Sequence, residues 1–286
     1  MPLVSAAANI LDSYAFQLSV RGGLSARLGY VTRYWARYLA AKHLGGVEWA
    51  PAHHAAMHAL AENGQSRRTA VVTLPSGVRL ELDLFTCFMI LKEIVSDGTY
   101  GAGAHAPRPG QVVFDVGGQQ GVFTVLAARA VGPGGRVVAV EPAPENFARL
   151  SKNVALNGLT NVTAVPAALS EAPGKAELAL SSWNAGGHSM AGMAEGSTST
   201  VTVELETLDA LCARLGTAPD LLKVDVEGAE LKVLRGGLKT LREKRPAVIV
   251  EADAPGVAEG VKALLTPLGY EVTADAHILF AVPGPR

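Results

Sequence analysis

The sequence predicts an α/β protein whose core is a mostly parallel sheet with helices on both faces. From Val112 onward, short valine-rich runs alternate with segments of helical periodicity. Most of these runs (VVFDV, RVVAVE, NVTAVP, LLKVDV and AVIVEA) are too apolar to have a wet face, which is the pattern of strands buried on both sides. The intervening segments each carry an apolar stripe: Phe147, Leu150 and Val154 in one, Leu231, Leu234, Leu238 and Leu241 in another.

Taken in order, residues 1–68 are alanine-rich and periodic without strand alternation, and read as a helical cap outside the sheet. Within it Tyr30, Tyr34 and Tyr38 recur every four residues beside Val31, Trp35 and Leu39, a helix face suited to packing on its own domain or to forming a homodimer. His53, His54 and His58 follow, but no cysteine or H-E-x-x-H glutamate completes a metal site there; a solvated face or part of an acceptor lid is the simpler reading. Residues 69–110 lead into the core. Val78, Leu80, Leu82 and Leu84 alternate with Arg79, Glu81 and Asp83 after a Pro75-Ser76-Gly77 turn, which predicts a hairpin with one wet face. A helix ending at Asp97-Gly98 comes next, with Tyr100 just beyond. Residues 111–286 form the core sheet, closed by YEVTA and HILFAVP as a terminal antiparallel pair, and Ser181–Thr200 reads as a long loop.

Composition excludes several classes. With 49% hydrophobic and 18% charged residues in a 286-residue chain, disorder is ruled out as a whole-chain description. A formal net charge of −1 gives no field that would gather nucleic acid. The two cysteines, Cys87 and Cys212, lack the spacing of a zinc site or disulfide framework, so reduced thiols and a cytoplasmic location are expected. The N-terminal residues read as neither a signal peptide nor a membrane span.

In a doubly wound sheet, ligands bind beyond the carboxyl ends of the strands. Asp115, Gly117, Gly118 and Gly121 stand after the first core strand, Glu141-Pro142 after the second, Asp225-Val226-Glu227-Gly228 after the fourth and Glu251 after the fifth. The glycines fit no G-x-G-x-x-G frame, and no G-K-[ST] follows. A carboxylate at Asp115 is poorly placed beside a pyrophosphate and well placed beside a cation. S-adenosylmethionine carries an ammonium and a sulfonium, and Glu141 stands where an acid can accept both ribose hydroxyls.

FDVGGQQGVFTVLAA, VVAVEPAPENFARLSKNVALNGL, AALSEAPGKAEL, WNAGGHSM, LETLDAL, LLKVDVEGAELKVLRGG and PAVIVEA, in that order, resemble the FkbM-type S-adenosylmethionine-dependent methyltransferases over about Thr69 to Ala252. The sequence departs from that pattern at Gly118-Gln119-Gln120 and at Gly101. The resemblance implies a class I methyltransferase, Rossmann-like sheet of seven strands, mostly parallel with the last antiparallel, and S-adenosylhomocysteine as product. It implies that Asp115 and Gly117 meet the methionine end, that Glu141 binds the ribose, and that Ala168 and Leu169 line the adenine. Tyr100, Gly118, Gln119, Gly121, Pro142 and Asp225 complete the expected cofactor set.

Methyl transfer to a hydroxyl requires alignment, exclusion of water and a proton acceptor. Alternation along KVDVEG puts Lys223, Asp225 and Glu227 on one side, so Asp225 and Glu227 can position the acceptor, take its proton or share a divalent ion with Glu251. A metal is not expected. In the blander alternative, Glu227 caps the next helix and Lys223 pairs with a neighbouring acid. His188 is a second candidate base, and Asn184 in the same loop could orient the acceptor. The function expected is O-methylation of a small secondary metabolite (macrolide or polyketide) or sugar hydroxyl, with N-methylation open. The rivals are a nicotinamide-dependent oxidoreductase, disfavoured by the glycine spacing, and a cofactor-sensing or partner-binding protein without turnover.

Overall fold

The computed structural model describes residues 69–74, 76–83, 86, 94, 100, 105–181 and 197–285. The expected cap of residues 1–68, with its aromatic helix and His53, His54 and His58, lies outside them. So do most of the helix before Tyr100, Asn184 and His188. The chain divides into two compact units, Met1–Asp97 with Ser182–Asn184, and Gly98–Ser181 with Ala185–Arg286.

In the first unit, β1 (Thr69–Thr73) and β2 (Arg79–Asp83) form an antiparallel hairpin from Thr69↔Asp83 to Thr73↔Arg79. Gly77 N–H donates to the Leu74 carbonyl at 2.9 Å and closes the turn. Leu80 and Leu82 are buried as the alternation requires, but so is Asp83, expected on the wet face. Its Oδ1 accepts the Thr86 N–H at 2.8 Å, so the strand's last carboxylate is spent on the backbone that follows.

In the second unit the elements run β3 (Val112–Val116), α1 (Val122–Val131), β4 (Arg136–Val140), α2 (Pro144–Leu156), β5 (Val162–Val165), β6 (Ala168–Leu169), β7 (Gly174–Ser181), β8 (Ser197–Glu206), α3 (Leu208–Leu215), β9 (Leu221–Val224), α4 (Glu230–Arg235), α5 (Leu238–Glu243), β10 (Ala247–Glu251), α6 (Val257–Leu265), β11 (Tyr270–Asp275) and β12 (Ile278–Pro283). The main sheet has seven strands in the order β11-β12-β10-β9-β3-β4-β5. The strands from β5 to β10 run parallel, and β12 is antiparallel to both β10 and β11. The chain moves outward from β3 to β4 and β5, then returns to β9 on the other side of β3. The strand order therefore reverses between β3 and β9, where a crevice for ligand opens. Register places Asp115 opposite Lys223 across that joint.

The apolar runs explain the placement. All four residues of β9 are buried and only the first of β3 is not, whereas three of the four in β5 are half-buried, as suits an edge. The leucine stripe of residues 231–241 belongs to two helices, α4 and α5, broken at Gly236-Gly237. A Cβ on Gly236 would stand 2.1 Å from the Ser170 carbonyl oxygen, a close approach that a single continuous helix of larger residues would forbid. The inner face of α2 also differs from expectation. Its buried residues are Asn146, Leu150 and Asn153; Phe147 and Val154 are half-buried. Asn153 Nδ2 donates to the Gln120 carbonyl at 2.8 Å, so part of this face serves the glycine loop rather than the apolar core.

A second sheet, β6-β8-β7, packs Ala168, Leu178 and Val203 around Ala143. The expected loop is shorter than its sequence suggested: Ser181 and Ser197–Thr200 are strand, joined in the β7–β8 ladder. The alternation in TVTVELE, with Val203 turned inward, is the signal that extends it.

Candidate cofactor and acceptor site

The loop after β3 is built around Gly117. Its φ is +84°, and a Cβ there would lie 1.7 Å from the Asp225 carbonyl oxygen, so only glycine lets the β3 and β9 ends come together. The loop amides are already used. Gly117 and Gly118 both donate to the Val140 carbonyl at 3.0 Å, and Gly121 donates to the Gly118 carbonyl at 2.8 Å. Gln119 N–H donates to Glu141 Oε2 at 2.8 Å. A phosphate cradle needs such amides pointing outward; here they point into the protein. Gln119 holds φ +47°, and its Nε2 is buried without a hydrogen-bond partner, a strained residue with a donor to spare.

Asp115 is fully buried. Its Oδ2 accepts the Thr124 hydroxyl at 2.5 Å, and its Oδ1 lies 3.3 Å from Lys223 Nζ without an aligned hydrogen bond. Burial pushes its carboxyl above the usual range, and Lys223 and then Thr124 pull against that shift. Glu141 is also buried. Its Oε1 accepts the Ala143 N–H at 2.8 Å, complementing the Gln119 bond on Oε2. Burial raises its carboxyl to about 7 despite these two amides and a hydrogen bond with Asn146, and the nearby Asp115 charge adds to the rise. With these three hydrogen bonds on its two oxygens, one acceptor direction is left for a hydroxyl.

Across the joint, Lys223 Nζ lies 3.0 Å from Asp225 Oδ2 and 3.3 Å from the Gly117 carbonyl. Burial alone would lower its ammonium, but Asp225 and then Asp115 outweigh it and hold the pKa above the ordinary value. The rings of Tyr100 and Phe123 lie over this ammonium at 5.1 and 5.9 Å from their centroids, meeting each other edge to face. The Tyr100 hydroxyl donates to Glu251 Oε2, which links the lysine's roof to the end of β10.

Beyond Lys223, the acids become accessible. The Asp225 side chain is 28% exposed. Glu227 is exposed, with φ +52°. Its carboxyl is raised to about 8, by desolvation first and then by the charges of Asp225, Asp253 and Glu230. The helix-cap alternative for Glu227 fails, because Glu230 Oε1 takes the Gly228 N–H at 2.9 Å and the Val226 N–H at 3.3 Å. The alternative for Lys223 holds: it pairs with acids on both sides. Glu251 Oε1 lies 3.5 Å from His277 Nε2. Glu251, Asp253 and His277 bring donor atoms within 4.8 Å of one another; this is a different trio from the Asp225, Glu227 and Glu251 set that the sequence suggested might share a divalent ion.

The structure thus brings Tyr100, Asp115, Gly117, Gly118, Gln119, Gly121, Glu141, Asp225, Glu227 and Glu251 to one edge of the sheet. Pro142 is half-buried beside Glu141. Ala168 and Leu169 form β6 and are buried in the protein's own packing. Thr124, Asn146, Glu230 and His277 were not singled out from the sequence. Asn146 could have been: it lies seven residues before Asn153, on the same face of a helix following an acid.

The methyltransferase FkbM domain profile matches residues 115–272. Methyltransferase sdnD of Sordaria araneosa is 32% identical over 217 residues, spanning 65% of this chain and 83% of that protein. The 31-O-demethyl-FK506 methyltransferase FkbM of Streptomyces tacrolimicus is 30% identical over 221 residues, spanning 67% of this chain and 85% of the other. Among solved structures, a methyltransferase FkbM from Methylobacillus flagellatus aligns with a TM-score of 0.46 at 15% identity, over 79% of this chain and 59% of that one.

Proposed function

This chain belongs to the FkbM methyltransferase family, and we propose that it uses S-adenosylmethionine to methylate a hydroxyl on a small acceptor, a macrolide- or polyketide-type metabolite or a sugar. The observation that carries this reading is the inward-turned glycine loop with ionisable groups at its mouth. With the amides of Gly117, Gly118, Gln119 and Gly121 used internally, the carboxylates beside them favour a cation over a phosphate.

The residues present fit that cofactor. Asp115, the Gly117 carbonyl and Asp225 would hold its cationic methionine end, Glu141 a ribose hydroxyl, and Gln119 Nε2 supplies an unused donor. When bound, S-adenosylmethionine supplies an electrophilic methyl group. The chain's own tasks are to align the acceptor hydroxyl, exclude water and take its proton. Asp225, fixed by Lys223, orients the acceptor, and Glu227, with a carboxyl raised to about 8, is the proton acceptor best matched to neutral pH. Glu251, at the end of β10, borders the acceptor. The Streptomyces tacrolimicus relative, whose name specifies 31-O-demethyl-FK506, supports an oxygen nucleophile.

A panel of macrolide and saccharide hydroxyls offered with methyl-labelled S-adenosylmethionine tests this, and a labelled ether is the expected product. Label on an amine nitrogen would replace O- with N-methylation. Cofactor binding without transfer to any acceptor would favour a sensing role.

A further inference from the structure

Lys223 is a buried lysine whose side chain is 3% exposed; its ammonium donates to Asp225 Oδ2 at 3.0 Å and the Gly117 carbonyl at 3.3 Å, and pairs by charge with Asp115 Oδ1 at 3.3 Å. The aromatic rings of Tyr100 and Phe123 close over it. Burying an ammonium costs several kcal/mol unless it is fully paired, and a neutral side chain of similar length would fill the same space. Without that cation, the Asp225 charge and burial together would leave the fully buried Asp115 holding a proton. Lys223 stands in the place of that proton.

Building on the S-adenosylmethionine reading above, we propose that Lys223 is a positioning residue that keeps Asp115 and Asp225 both ionised, fixing the pocket at one net negative charge and so setting its preference for the sulfonium cofactor over the thioether product. Two carboxylates and one ammonium leave a single unbalanced charge. A sulfonium neutralises it; a thioether leaves it uncompensated in a dry site. The other ionisable groups facing the cluster are Glu141 beside Asp115, Glu251 near Lys223, and Glu227 and Glu230 near Asp225. Tyr100 and Thr124 contribute hydroxyls to the same surroundings. Glu141 and Glu227 are present in the wild type and in a Lys223 variant alike, so the difference between the pH profiles of the two proteins isolates the Lys223 cluster.

Two measurements test this. In the cofactor-free wild-type protein, ¹³C NMR of the aspartate carboxyls, assigned with Asp115→Asn and Asp225→Asn, should show both as carboxylates at pH 7. A protonated Asp115 or Asp225 there would overturn the proposal. Calorimetry from pH 6 to 8 should give a ratio of S-adenosylmethionine to S-adenosylhomocysteine affinity that varies in the wild type only as Glu141 and Glu227 titrate. In Lys223→Met the same ratio should rise more steeply with pH, by up to about a further tenfold per pH unit, as Asp115 loses its proton. An equal pH profile in both proteins would also overturn the proposal. The NMR experiment needs neither cofactor nor variant folding of Lys223→Met. It can fail while S-adenosylmethionine still binds, and wild-type protein that binds no S-adenosylmethionine contradicts the cofactor reading alone.

Discussion

The two halves of the sheet's carboxyl edge both present acids, but in opposite states. At the ends of β3 and β4, Asp115 and Glu141 are 0% and 5% exposed and held by Thr124, Lys223 and the backbone amides of Gln119 and Ala143. At the ends of β9 and β10, the side chains of Asp225 and Glu251 are 28% and 18% exposed, and Glu227 and Asp253 are exposed outright. In the first half, burial is the main cause of the raised carboxyls, and geometry is fixed by the backbone. In the second, partial desolvation is joined by repulsion among Glu227, Asp225, Asp253 and Glu230, and positions can adjust. A fixed half suits a cofactor that is the same in every turnover, and an accessible half suits an acceptor that varies across a family.

Substitutions should separate the halves. The largest effect is expected for Asp115→Ala, which leaves the buried Lys223 with one carboxylate fewer. Breaking a buried pair costs about 3–5 kcal/mol, and the residual pairing with Asp225 places the loss at the lower end, read by urea unfolding. S-adenosylmethionine affinity should fall at least about a hundredfold; unchanged binding would remove Asp115 from the site. Next comes Gly117→Ala. It adds a positive-φ penalty of about 1–2 kcal/mol to a backbone clash between β3 and β9, and should weaken stability and cofactor binding together.

The pH dependence of the buried half follows from Glu141. Its carboxyl in the folded protein, at about 7, lies above its ordinary value of 4.5, so the folded state holds this proton more tightly than the unfolded state does. The stabilisation is fully present below about pH 4.5 and is lost as pH rises through about 7, a change of about 3 kcal/mol. Glu141→Gln should flatten that part of the stability profile between pH 5 and 8; an unaltered slope would assign it to other groups. The smallest effect is expected for Glu227→Gln. Cofactor affinity should stay within about twofold, while turnover of an identified acceptor falls. Weakened cofactor binding in this variant would blur the division between the halves.

The sequence revealed the buried half more completely than the open one, for physical reasons. Valine-rich strands and a glycine joint are local patterns, so the main sheet, its antiparallel end and the positions of Asp115, Gly117 and Glu141 could be read directly. What escaped depended on long-range pairing. The β7–β8 ladder extends into a segment that reads as a loop because serine and threonine there alternate without large apolar partners. The inner face of α2 is partly polar because Asn153 serves Gln120, and hydrophobic periodicity cannot show that. Glu230 rather than Glu227 closes the turn because Glu227 adopts a left-handed backbone, which spacing does not encode. His277 reaches Glu251 only through the β10–β12 register, in which Ala252 N–H donates to the His277 carbonyl at 2.8 Å.

The central claim is that this site is built for a cation, at a loop whose Gly117, Gly118, Gln119 and Gly121 amides are used within the protein. Calorimetry of the wild-type protein and Asp115→Ala with S-adenosylmethionine and with NAD tests it most directly. The account predicts that the wild type binds S-adenosylmethionine, that Asp115→Ala loses this binding, and that NAD is not bound by either. Binding of NAD alone, or equal S-adenosylmethionine binding by both proteins, would contradict it.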